Sequence, residues 1–176
     1  MTTNRTRRTA FWIITFVIVA ELTAGSLWNL LTIGWIEIQL QHLGYPLFFA
    51  YILGVAQAAA AAAIIAPGLP VLKEWAYAGC FFLWSGAVVS HLVVGDGVRA
   101  WGPPLMFAVL AVASWALRPA GRRVGARPPV AGARAWIVPT GLLAVLFAVS
   151  YVTLPVAEVV MHGFAVELGW IDGPRP

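Results

Sequence analysis

Residues 72–96 read LKEWAYAGCFFLWSGAVVSHLVVGD. A Lys-Glu pair opens the stretch, Ser-His and Asp close it, and the run between is almost wholly apolar. About 20 such residues carry a helix across the hydrocarbon core of a bilayer. The stretch therefore reads as a membrane span with polar groups held at both ends.

The rest of the chain repeats the pattern. Of its 176 residues 61% are hydrophobic and 10% charged, whereas a soluble domain is about a quarter charged. Four further apolar segments lie at 11–31, 46–66, 103–117 and from Ala135 to about Leu154. The fourth in chain order, 103–117, is short and is expected to recruit VRAWG before it. In lipid every backbone N–H and C=O must be paired within the segment or in a closed barrel. Period-2 alternation is absent, so the prediction is an all-α, polytopic transmembrane helix bundle. Segment 11–31 resembles a signal peptide only in length. Glu21 interrupts it and no A-x-A site follows, so it is expected to be a mature helix.

The net charge of +4 comes largely from arginines in NRTRR near the start and in residues 118–134. Beside apolar segments such clusters set orientation before they suggest nucleic acid, and no nucleic-acid partner is expected. A cytoplasmic N-terminus puts Arg5, Arg7, Arg8, Lys73, Arg118, Arg122, Arg123, Arg127 and Arg134 inside, and only Arg99 and Arg175 outside. The C-terminus is then extracytoplasmic. Lys73 is expected among anionic headgroups. Residues 32–45 are expected to lie along the outer interface, and Pro155 to end or kink the last span before an amphipathic tail.

LGYP at 43–46, YILGVAQ at 51–57, LKEWAYAG at 72–79 and SHLVVGD at 90–96 together resemble the DoxX-like family of small bacterial membrane proteins, over roughly residues 10–118. The resemblance implies a four-helix transmembrane unit in a bacterial plasma membrane. It divides the chain into that unit (1–118), a basic cytoplasmic loop (119–134), and a fifth helix with its tail (135–176). Many members carry a Lys where this chain has Gln57, and the fifth helix lies outside the family's basic unit. Named members are linked to quinone-coupled sulfur oxidation and membrane oxidoreductase complexes. The resemblance thus implies quinone as a candidate cofactor, and a redox partner protein or a second copy beside the membrane lipids.

Two polar groups of residues are candidates for chemistry. Glu21, Gln57 and Ser85 each lie about ten residues into their spans, near the midplane at roughly 1.5 Å per residue. A carboxyl there is costly, so Glu21 is expected to face the bundle, as a proton donor or ligand anchor, or hydrogen-bonded to Gln57 or Ser85. The second group is at the outer face: His42, His91, His162, Asn29, Glu37, Asp96 and Glu158. Histidine suits proton transfer near neutral pH. Glu21, His91 and Glu158 are the catalytic candidates. Trp28, Asn29, Gln57, Ser85, Asp96 and His162 are the ligand-binding ones. No H-x-x-x-H or H-E-x-x-H pattern supports a metal site, and the lone Cys80 cannot cycle a dithiol. Three functions fit: a redox-associated subunit that binds a quinone or similar lipophile, a non-catalytic assembly partner, and a small membrane isomerase, cyclase or epoxide hydrolase.

Overall fold

The computed structural model describes residues 2–125 and 132–172, with side chains from residue 5 onward. Arg127 and Arg175 lie outside the described residues. Among the described residues six α-helices follow one another: α1 (Thr2–Leu31), α2 (Gly34–His42), α3 (Phe48–Ile65), α4 (Pro70–Val93), α5 (Val98–Leu117) and α6 (Arg134–Glu167). All except α2 are long and apolar enough to cross a membrane. As expected, α5 begins at VRAWG.

Helices α1, α3, α4 and α5 form a closed ring in which each touches the next, and α6 packs outside it along α1. Ile18, Val19 and Leu22 meet Ala61 and Ile64 of α3, Cys80 and Trp84 of α4, and Ala108 and Ala111 of α5 at the centre. Outward-facing side chains are apolar too, among them Phe82, Val93, Val138 and Val152. Water tolerates no such continuous surface, whereas lipid does. The molecule is a multi-pass membrane helix bundle.

Association in lipid relies on close packing and hydrogen bonds more than on hydrophobic burial. The α1–α3 contact shows both. Ser26 Oγ donates to the Gly54 carbonyl at 2.8 Å. A Cβ on Gly54 would stand 2.7 Å from Leu30 Cγ and 3.1 Å from the Ser26 carbonyl oxygen. Leu30 can turn aside but the backbone cannot. Gly54→Ala is therefore expected to cost about 1–3 kcal/mol, the usual range for overpacking. A lowered melting midpoint in detergent would show it; an unchanged one would mean that the helices part freely.

One face of α2 is covered: Trp35, Ile36 and Leu40 are buried in a second cluster with Ala165, where the end of α6 packs on them. Gly34, in the first turn of α2, donates its N–H to Glu158 Oε1 of α6 at 3.2 Å. Two expectations are corrected. Of the two effects expected of Pro155, an end or a kink, the end does not occur. The segment runs on as α6 to Glu167, where packing on α2 supports the turns beyond the proline, as neighbours do in membrane bundles. The other correction concerns Lys73, which is 1% exposed. Its Nζ donates to the Ala63 and Ala66 carbonyls, which the end of α3 leaves without helical donors.

Candidate functional site

Asp96 is the hub of the end of the bundle that carries the histidines. It accepts from His91 Nδ1 at 2.7 Å, from His42 Nε2 at 3.0 Å and from Trp170 Nε1 at 3.2 Å. The indole of Trp170 stacks on both imidazoles, with centroids 4.6 Å from His42 and 5.5 Å from His91, and on Trp35 at 5.2 Å. Residues from α2, α4, the turn after α4 and the turn after α6 thus form one polar cluster under an aromatic roof.

Two glycine turns build it. Gly95 has φ +83° and Gly169 φ +76°, a left-handed conformation that glycine adopts without a Cβ clash. Beyond each, the chain folds back in a Schellman motif. Asp96 N–H returns to the His91 carbonyl and Trp170 N–H to the Ala165 carbonyl, both at 3.0 Å. HLVVGD therefore joins its own first and last side chains: Gly95 turns the chain and Asp96 lands beside His91.

Burial pushes the Asp96 carboxyl up, but the hydrogen bonds from His91, His42 and Trp170 outweigh it and hold the group below its ordinary value. Asp96 is thus a carboxylate that fixes Nδ1 of His91. That leaves Nε2 as the ring nitrogen able to serve a ligand.

His91 lines a cavity of about 370 Å³ that also meets Glu21, Trp28, Asn29, Gln57 and Trp170. This lies within the range of small-molecule sites, about 300–1,000 Å³. Along α1 the wall from Glu21 to Asn29 spans about 12 Å at 1.5 Å per residue. Glu21 has no hydrogen-bond or ion-pair partner among the described residues. The Trp28 indole N–H is buried and likewise unpartnered. On α5, Pro103 and Pro104 also line the cavity; their missing N–H groups deprive the Arg99 and Ala100 carbonyls of helical donors. The wall thus combines a free carboxyl, a free donor and an oriented imidazole with apolar surface.

Glu21, Trp28, Asn29, Gln57 and His91 come together in this cavity, with Asp96 behind His91. The bonds expected of Glu21 are absent. Gln57 Oε1 instead accepts from Asn29 Nδ2 at 3.1 Å, and Ser85 turns back to the Phe81 carbonyl at 2.6 Å on its own helix. Glu158 is engaged at Gly34, and His162 is exposed without a partner among the described residues; neither lines the cavity. The sequence reading missed Trp170 as a site residue. Its signal was the Gly-Trp pair just past a helix, the counterpart of Gly95-Asp96.

The family model for DoxX-like proteins matches residues 13–114. The chain belongs to the DoxX-like family. No curated protein and no solved structure matches it. The matched segment of this DoxX-like protein runs from within α1 to within α5 and so covers most of the four-helix ring, whereas Trp170 and α6 lie beyond it. The roof of the cavity is thus built by a part of the chain outside the matched segment. At the opposite end, the LKEWAYAG stretch is tied into the DoxX-like ring by Tyr77. The Tyr77 hydroxyl meets Ser114 Oγ, which also meets Thr15 Oγ1, each at 2.8 Å.

Proposed function

We propose that this DoxX-like protein binds a lipophilic molecule with a polar head, of the quinone class, in the Glu21–His91 cavity. It serves there as a membrane subunit whose electrons come from a partner protein. The observation that carries this reading is a largely apolar cavity containing an unpaired carboxyl, an unpaired indole N–H and an oriented imidazole. Buried polar groups without partners are rare and costly in a finished site. A bound head group with oxygen acceptors relieves that cost.

A bound quinone supplies two-electron, two-proton chemistry. The chain supplies the rest. Trp28 Nε1 would donate to a carbonyl oxygen of the head group, His91 would take or give a proton at Nε2, and Asp96 holds the imidazole in position. Glu21 is the second proton site, and Trp170 keeps water from the head group. Gathering of the arginines at the end opposite the histidines supports a plasma-membrane orientation with that end, and the N-terminus, in the cytoplasm.

Mass spectrometry of organic extracts from the gently purified protein tests the reading. One quinone-type lipophile per chain is expected. Its occupancy should fall about ten-fold or more in Glu21→Gln and in His91→Ala, since each removes a hydrogen bond made by an ionisable group. Equal lipid content in all three samples would sink the proposal. The Asp96-held His91, in the same cavity as Glu21, also favours a second reading, acid–base catalysis on a lipophile. Recovery of an added lipophile in isomerised or hydrated form would select it.

A further inference from the structure

The end of the bundle away from the histidines holds a second recess. It has a volume of about 220 Å³ and is lined by Arg7, Arg8, Leu117, Arg118, Pro119, Ala120 and Arg123. A neighbouring recess shares Arg8, Pro119 and Ala120 and adds Arg5, Trp12 and Arg122. Neither overlaps the Glu21–His91 cavity.

Several of these arginines are built into place. Arg118 is 4% exposed. Its Nε donates to the Trp115 carbonyl at 3.0 Å, its Nη2 meets Glu74 Oε1 at 2.8 Å, and its guanidinium lies over the Tyr77 and Trp115 rings. Its Nη1 is buried and has no partner among the described residues. Arg7 and Arg123 each spend one Nη2 on the Ala116 carbonyl, at 3.1 and 3.4 Å, and Arg123 Nε reaches the Arg118 carbonyl at 3.2 Å. A guanidinium carries five N–H donors, so both retain donors. Arg8 has no partner among the described residues. Four arginines therefore line one recess, and Glu74 neutralises only one of them. The unpaired Arg8 and the spare donors of Arg7 and Arg123 call for an anion with several acceptor oxygens, the chemistry of phosphate.

We propose that this recess is a binding site for the phosphate of an anionic phospholipid headgroup. The location selects a lipid over a free anion. The recess sits where α1 enters and α5 leaves the membrane, the level at which headgroups lie. Leu117 and the half-exposed Trp12 offer apolar surface toward the acyl chains. Basic pockets between transmembrane helices hold anionic headgroups in this way.

The test is a titration of the full-length protein in neutral detergent, read by native mass spectrometry. Phosphatidylglycerol, phosphatidylcholine and inorganic phosphate are the probes. One saturable phosphatidylglycerol per chain is expected, with phosphatidylcholine far weaker. Arg7→Gln and Arg123→Gln should each weaken binding about five-fold, the contribution of one basic residue at a membrane surface. Both residues are exposed, and circular dichroism checks that the variants fold. Arg134→Gln removes the same charge outside the recess and should change nothing. An equal loss in Arg134→Gln would show diffuse attraction and overturn the proposal. So would inorganic phosphate binding as tightly as the lipid, or the absence of saturable binding.

Discussion

Asp96→Ala is expected to empty the Glu21–His91 cavity and to destabilise the end of the bundle that holds it. Three donors, on His42, His91 and Trp170, lose their common acceptor at once. A hydrogen bond to a charged group contributes about 1.5–3 kcal/mol, and these three are not additive. A loss of about 3–4 kcal/mol is expected, with Trp170 released from the cavity wall. Lipophile retention should fall at least as far as in His91→Ala, because Asp96 holds both His91 and the roof. Thermal melts in detergent and the extraction measurement read the two effects separately. Wild-type melting with full loss of ligand would confine Asp96 to the site.

The same carboxylate gives a pH signature. Its folded value lies below its ordinary value of 3.8, so the unfolded chain takes up the proton first as pH falls. The stabilisation is complete above the ordinary value and is lost as pH falls through the lower folded one. Asp96→Asn removes the titrating group but keeps one acceptor oxygen. Its melting midpoint should be lower than wild type at neutral pH, and the gap should narrow below pH 3.8. A gap that stays constant into acid would remove Asp96 from the set of stabilising carboxylates.

Lys73→Met is the second large effect. Methionine fills much of the space but donates nothing, and the Ala63 carbonyl loses the donor that Lys73 supplies. Arg122 remains for the neighbours, with Nη2 at 2.7 Å from the Ile64 carbonyl and 3.5 Å from the Ala66 carbonyl. A buried acceptor left unpaired costs about 1–3 kcal/mol. The expected result is a lower melting midpoint with the lipophile still bound, since Lys73 is absent from the cavity wall. Loss of the lipophile in a folded Lys73→Met protein would mean that the two ends of the bundle are coupled.

The spans were legible because a bilayer imposes a one-dimensional rule. Each crossing needs about 20 apolar residues, and no local contact alters that. Glu21 and His91 stood out for the same reason, as ionisable groups in or beside apolar runs. The partners of those residues were less legible. Gln57 and Ser85 share an estimated depth with Glu21, yet depth does not give rotation about a helix axis. Gln57 faces Asn29, and Ser85 satisfies itself on its own backbone. Lys73 looked like a headgroup anchor because it begins a helix, but the end of α3 folds over it.

The sequence by itself determined an all-α membrane bundle, its DoxX-like membership and the local turn that sets Asp96 beside His91. Each depends on composition or on neighbours in the chain. The tertiary structure alone decided that His42, Trp170 and the far end of α6 complete that site, that Glu158 serves α2, and that arginines from α1 and the end of α5 share one recess. Those placements depend on helix rotation and on packing between segments as far as 124 residues apart. No local pattern in the chain encodes either.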